Sequence, residues 1–562
     1  MHFKVFRKKK INSFENYPSE LKKNLSLADL VALGIAAIIG AGVFGTIGTA
    51  CAAGGPAVSL LFIFTAIACA FSALCYAEFA SAIPVAGSAY TYAYVAFGEI
   101  IAWIIGWDLI IEYAIGNIAV AISWSDYFTS LLEGFGLQLP PYLTTDFLTA
   151  YRVYNEIFLK HNIELTNLAP YQKEALEAWI NAPTLGKIKL IFDLPALSII
   201  SFISYLVYVG ISESKTASNI MVAIKLLVLL LVIAIGIFYV NPQNWTPFAP
   251  HGFSGVMKGV AAVFFAYIGF DALSTTAEEC QDAKKDLPRA MILALLICSV
   301  LYILISLVLT GMVPYHWLKV GDPLAFAFEY VHMEPKLKSF IKGIISVSAV
   351  VAMASVLLVF QLGQPRIWMS ISRDGLLPSK FSHIHPKYRT PTFSTLIAAL
   401  LVAIPALFMN LTEVTDLSSF GTLFAFTLVC GGVLKLQGQK DHAPKFKVPY
   451  INGKYILPLL YFFTLFFIFH YHHYKINKIL DYFYYKSVLE LVPPLIFWAG
   501  ATFLTFLTWL KNLSLIPVLG ILSCFYLMSQ VNYRSWILFS AWLAIGLIIY
   551  FAYSYKNSKL AE

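Results

Sequence analysis

Three ionisable residues stand in stretches too apolar to hold a charge without a reason. Asp108 and Glu112 lie four apart in Gly106-Trp107-Asp108-Leu109-Ile110-Ile111-Glu112, on one face if that stretch is helical. Lys225 sits in Met221-Val222-Ala223-Ile224-Lys225-Leu226-Leu227-Val228. Carboxylates and amines at such positions are costly, and functional more often than decorative. Glu112 is a candidate to meet a basic group on a substrate or to relay a proton. The alternative for both acids is a carboxyl kept neutral, or bonded to a neighbouring helix. An amine in apolar surroundings is a candidate to gain and lose a proton through a cycle. The alternative for Lys225 is a side chain that snorkels to the membrane edge. It lies about nine residues into its span, roughly 13 Å along a helix, a long way to climb.

The elements that must hold these residues are membrane helices. Of 562 residues, 59% are hydrophobic and 12% charged, and the mean hydropathy is +0.73. A soluble domain carries about 25% charged residues, so the chain is an integral membrane protein. The net charge of +8 comes from Lys and Arg scattered between apolar runs, which argues for basic loops and against nucleic-acid binding. The seven cysteines have no paired spacing, so neither a disulfide framework nor a metal site is expected. No HExxH, GxSxG or P-loop occurs, which leaves an enzyme without support, and no cofactor is implied. His470, His472 and His473 sit beside Tyr471 and Tyr474 and read as membrane-edge residues, as does the Tyr482–Tyr485 cluster.

Apolar runs of spanning length, about 20 residues, fall at 27–50, 57–81, 97–132, 190–210, 216–240, 255–277, 289–313, 340–370, 391–410 and 413–436. Further runs follow at 455–472, 487–510, 514–530 and 533–553. That predicts an all-α membrane protein of about fourteen transmembrane helices, with twelve as the alternative because the ninth and eleventh runs are short. Lys and Arg concentrate before the first run and in the loops at 284–289, 373–389 and 435–454, which puts both ends on the cytoplasmic side. The basic start lacks a signal peptide's cleavage pattern, so it is expected to be retained. The expected organisation is a cytoplasmic segment 1–26, a core 27–436 carrying an external loop at 133–189, and four added helices with a short cytoplasmic tail at 437–562.

Two of these spans are interrupted. Gly34, Gly40, Gly42, Gly45 and Gly48 crowd the first. They mean either a close-packing face or a break around a cavity, since irregular backbone in a membrane survives only where protein or a cavity shelters it. The sixth span reads Phe264-Phe265-Ala266-Tyr267-Ile268-Gly269-Phe270-Asp271-Ala272-Leu273-Ser274-Thr275-Thr276, a mid-span glycine followed by polar residues. Interrupted helices at matching places of two halves point to a midplane transport site, and the first and sixth spans each open a block of five. That favours a break and an inverted five-plus-five repeat. A broken helix offers N–H groups to an anion and carbonyls to an ammonium, and an α-amino acid needs both.

These motifs resemble the amino acid–polyamine–organocation superfamily, within it the cationic amino acid transporter branch. The resemblance rests on Gly34–Phe44 with its Ile-Gly-Ala-Gly core, Cys75-Tyr76-Ala77-Glu78-Phe79 followed by Pro84 and Gly87-Ser88-Ala89-Tyr90, and Gly106–Ile110. It rests also on Ala266–Ala272 with Glu278-Glu279, Ser372-Arg373-Asp374-Gly375-Leu376-Leu377-Pro378, and Trp536–Tyr550. It covers the chain except 134–190 and roughly 440–512. The resemblance implies that N–H groups around Ile39, Gly40, Ala41 and Gly42 hold a substrate carboxylate, while carbonyls of Phe265, Ala266 and Ile268 take its amino group. It also implies that Phe265 closes over the substrate, Met353 lines the side-chain pocket and Lys225 couples transport to protons. Glu78 is expected to anchor an internal loop. Family members commonly carry a basic residue beside the proline after the second span, where this chain has Ile83-Pro84-Val85. The expected activity is proton-coupled uptake of amino acids, cationic ones suggested by the branch, across the plasma membrane (the inner membrane of a bacterium). Partners would be the amino acid, the proton and the bilayer, with a small regulatory membrane subunit as a further candidate. The alternatives are an exchanger of the same fold and a membrane amino acid sensor, the latter disfavoured by short tails.

Overall fold

The computed structural model describes residues 6–9, 25–83, 88–159, 168, 170–210, 215–437, 444–472 and 488–560. The expectations at Pro84, Val85 and Gly87, at His473 and Tyr474, and at Tyr482–Tyr485 lie outside the described residues. Elsewhere the chain is almost wholly helical. The first block runs α1 (Leu27–Ile38), α2 (Ile47–Gly54), α3 (Val58–Ala82), α4 (Ser88–Ala96) and α5 (Glu99–Gly134). Then come α6 (Phe147–Arg152), α7 (Pro170–Asn181), the small hairpin β1 (Thr184–Leu185) and β2 (Ile188–Lys189), α8 (Leu194–Val209) and α9 (Lys215–Gly236). The second block has α10 (Gly252–Met257), α11 (Val260–Phe265), α12 (Ala283–Met312), α13 (Pro323–Tyr330), α14 (Pro335–Arg373), α15 (Thr392–Ala406) and α16 (Leu411–Leu436). The chain closes with α17 (Gly453–His472), α18 (Val488–Lys511), α19 (Leu515–Gln530) and α20 (Tyr533–Ile549). Among the described residues, eight helical stretches are long and apolar enough to cross a membrane, and six shorter apolar helices accompany them.

The two blocks pair element by element. α3 packs on α12, α5 on α14 and α8 on α15, and the first broken helix packs on the second. Four of the five spans thus meet their counterpart five spans later, the arrangement a pseudo-two-fold axis through the centre of an inverted repeat produces. Small residues permit the closest of these approaches. A Cβ at Gly34 would stand 2.8 Å from the Ala294 Cβ of α12, so the two helices nearly touch backbone to backbone. The core along this seam is continuous and apolar, and Trp103, Tyr76, Tyr302, Phe44 and Phe62 are fully buried in it.

The segment between α5 and α8 is a partly helical cap, and its hairpin has no periodic signal to announce it. The Arg152–Glu413 ion pair, at 2.5 Å, ties the cap to the start of α16. On the opposite face, Glu78 takes the Val448 N–H at 2.7 Å, and Ser81 bonds the Phe446 carbonyl and N–H. That pairing fastens the chain leaving α16 to the end of α3, the anchoring expected of Glu78. The same face carries both tails. Arg7 approaches Glu99 at 3.7 Å, and Lys9 meets Asp374 at 2.6 Å.

Candidate functional site

The first span is both closely packed and broken. α1 stops at Ile38, Ile39 is extended (φ −80°, ψ 97°), and a wide helical turn over Gly42–Thr46 leads into α2. Such wide turns recur at functional sites. Gly34 serves the packing. Gly42 serves the break, because a Cβ there would lie 2.7 Å from the Ala266 Cβ and overlap its Cα. The second break follows α11. Gly269 adopts φ +119°, open to glycine and strained for any other residue, and its Cα faces the Ala37 carbonyl. Asp271 accepts the Gly269 N–H at 3.3 Å, which fixes the reversal into the 3₁₀ turn Phe270–Glu279. Thr46 bonds the Gly42 and Ala262 carbonyls at 3.0 and 3.2 Å, so the two breaks are stitched together.

Between them lies a cavity lined by Gly40, Ala41 and Gly42 from the first break, Phe265, Ile268 and Asp271 from the second, Glu112, Tyr113 and Gly116 from α5, and Val356 and Phe360 from α14. Its free volume is about 20 Å³, room for roughly one water. The expected residues Gly40, Ala41, Gly42, Phe265, Ile268 and Glu112 come together here. Ile39, Ala266 and Met353 do not line the cavity. Ile39 and Ala266 are buried next in the chain to the lining residues Gly40 and Phe265, and Met353 is buried one turn from Val356, which takes the lining position and stands 3.0 Å from where a Gly40 Cβ would be. The Phe265 carbonyl, expected free, accepts the Ile268 N–H at 3.2 Å. The sequence reading missed Asp271, Tyr113, Val356 and Phe360 as lining. The polar run after Gly269 signalled Asp271, whereas apolar residues of α14 carry no mark that separates lining from core.

Lys225 is 1% exposed. Its ammonium donates to the carbonyls of Ala36 and Ile39, each at 3.2 Å. Those are orphan acceptors of the α1 terminus, where the negative end of the helix dipole favours a cation. Snorkelling is therefore not what this lysine does. Glu112 accepts the Thr422 hydroxyl through Oε1 at 2.6 Å, and its Oε2 has no hydrogen-bond partner among the described residues. Asp108, one turn away, has a partner for neither oxygen among them, and its Oδ1 lies 2.8 Å from where a Gly421 Cβ would project.

The family model described as amino acid permease matches residues 25–472, which is most of the chain. The chain belongs to the amino acid permease family. A second model, described as the C-terminus of AA_permease, matches residues 513–558. The chain is similar to the branched-chain amino acid permease BcaP of Bacillus subtilis, 36% identical over 566 residues covering 99% of each chain. It is as similar to the methylthioribose transporter of the same organism, 36% identical over 559 residues and 99% of each. Cationic amino acid transporter 4 of Homo sapiens is 35% identical over 431 residues, covering 76% of this chain and 61% of that protein. These relatives are permeases and transporters, not enzymes, and this permease is a multi-pass membrane protein of the same all-α fold.

Proposed function

We propose that this permease carries amino acids into the cell by alternating access, with the Lys225 amine as the group that couples uptake to protons. The observation that carries the reading is the pair of bonds from Lys225 to Ala36 and Ile39. The lysine holds the same broken segment whose next residues line the cavity, so loss of its proton weakens the grip on the break. The first-turn N–H groups at Gly40–Gly42 have no intrahelical partner and suit a carboxylate. The carbonyls of Ala266 and Ile268 suit the amino group. A cavity of about 20 Å³ admits an amino acid only when Phe265, Val356 and Phe360 draw back, which makes Phe265 a candidate gate. With both tails placed inside by the positive-inside rule, uptake runs from the cap face to the tail face of the plasma membrane.

The test is uptake of a labelled amino acid into liposomes holding the purified protein. An inward proton gradient should accelerate it, and Lys225→Ala should remove the acceleration. Uptake indifferent to the gradient sinks proton coupling and leaves exchange of one amino acid for another on the same scaffold. A second observation bears on substrate. The unpaired Glu112 Oε2 and the Asp271 carboxylate both border the cavity, which suits a basic side chain, whereas Val120, Val356 and Phe360 suit an apolar one. Glu112→Gln should weaken arginine or lysine uptake far more than leucine uptake, and equal weakening would exclude the basic side chain.

A further inference from the structure

The broken end of α1 is held twice, by donors of different chemistry. Lys225 of α9 takes the carbonyls of Ala36 and Ile39. One of the two carbonyls between them, that of Ile38, accepts the phenol of Tyr302 from α12 at 3.0 Å. Tyr302 is wholly buried. Its ring stands edge-on to Tyr267 at 5.5 Å and tilted against Phe62 at 5.8 Å, so its one polar atom is aimed at the helix end. Tyr267 repeats the pattern by donating to the Phe62 carbonyl at 3.0 Å. The close approach of Gly34 to Ala294 sets α12 against α1, and Tyr302 extends that contact to the break.

We propose that Tyr302 is a positioning residue of the coupling step: its phenol keeps the end of α1 in shape while the Lys225 amine changes protonation. The inference rests on the reading of Lys225 as the proton carrier. An aliphatic amine's grip on a carbonyl depends on its charge, whereas an ordinary phenol keeps its proton until about pH 10. One donor is thus switchable and the other permanent. By satisfying Ile38, the phenol also removes one carbonyl from the negative end that would otherwise favour the ammonium.

The helices packed against α9, which are α1, α12 and α14, and the second break carry other titratable groups. Cys298 lies on α12. Asp29 of α1 is bonded to Ser26 and to Asn219 of α9, and Asp271 belongs to the second break. The Ile345–Leu357 stretch of α14 contains no titratable side chain. Among the described residues the Ile38 carbonyl receives Tyr302, a neutral donor acting beside Lys225.

The experiment is the pH profile of labelled arginine and labelled leucine uptake in liposomes for wild type, Tyr302→Phe, Phe62→Leu and Lys225→Ala. Tyr302→Phe should move the midpoint of the profile to higher pH by about half a unit, the scale of one neutral hydrogen bond. Phe62→Leu, which loosens the ring and keeps the hydroxyl, should leave the midpoint in place. A Tyr302→Phe protein that is slower or less heat-stable with an unmoved midpoint reduces Tyr302 to packing and overturns the inference. An equal shift in Phe62→Leu overturns it as well. Those outcomes leave the proton reading standing if Lys225→Ala has lost its gradient dependence. Gradient dependence that survives Lys225→Ala overturns the proton reading, and the inference with it.

Discussion

One helix, α5, carries buried carboxylates of two opposite kinds. At its start Glu99 is fully buried, yet its oxygens receive Tyr94 at 3.0 Å, Tyr550 at 2.9 Å and Ser558 at 2.5 Å. Arg7 stands at 3.7 Å, and the N-terminal end of α5 adds a favourable dipole. Nearby, Asp374 at the end of α14 receives Lys9 at 2.6 Å and Tyr90 at 2.7 Å. Arg7 also bonds the Tyr555 carbonyl at 3.4 Å, so the chain's two tails are clasped across the ends of α5 and α14. About two and a half and three and a half turns further along α5, Asp108 and Glu112 are also buried and keep three oxygens without a partner among the described residues. Folding alone has no use for an unsatisfied buried acid, which costs the desolvation of the group. The satisfied acids hold the molecule together. Of the unsatisfied ones, Glu112 lines the cavity and Asp108 lies one turn away on the same helix.

The largest effect that separates the two kinds is on stability. Glu99→Ala strips the clasp of its central acceptor and should cost about 3–5 kcal/mol, the range for breaking a buried ion pair. It should appear as a sharp fall in the melting temperature of the purified protein. A loss as small as that of a surface substitution would mean that the tails hold without Glu99.

Next comes Gly42→Ala. The added methyl meets Ala266 across the two breaks, so the cost to stability should be about 1–3 kcal/mol, as for an overpacked core. Uptake should be lost outright, because the breaks cannot close on each other. A folded Gly42→Ala protein with near-normal uptake would contradict the role of that contact. Asp108→Asn should change stability by no more than about 1 kcal/mol, since no hydrogen bond to the carboxylate is lost, while uptake falls several-fold. If it destabilises as much as Glu99→Ala, Asp108 belongs with the structural acids.

The breaks were legible in the sequence because glycine density and a polar run inside an apolar span violate the pattern of an ordinary membrane helix. Lys225 was legible for the same reason. Tyr302 was not, because one tyrosine in the apolar run of α12 looks like any core aromatic, and its partner is a backbone carbonyl 264 residues away. The clasp was equally hidden. Arg7 and Lys9 belong to a basic run that reads as topology signal, and Lys9 finds its partner 365 residues along the chain. Periodicity reports which face of a helix is buried. It does not report which distant side chain arrives there, and so Met353 was expected where Val356 lies.

The smallest effect concerns an acid between the two kinds. Asp322 precedes α13 on the cap face, outside the membrane-spanning helices, and is half-buried. Burial pushes its carboxyl up from 3.8 to about 6, with the Glu329 carboxylate adding to the push and the Lys342 ammonium opposing it. Lys342 is itself engaged by Glu329 at 2.6 Å, so its help is shared. A folded-state value above the unfolded one means that the native protein holds the proton more tightly. The stability this contributes is complete below about pH 3.8 and is lost as pH rises through about 6. Asp322→Asn removes the titration, so the melting temperature of the variant should fall less than that of wild type between pH 4 and 6. Parallel curves would place Asp322 with Glu99 as an acid whose charge is satisfied. A flattened curve makes it the mildest member of the unsatisfied set.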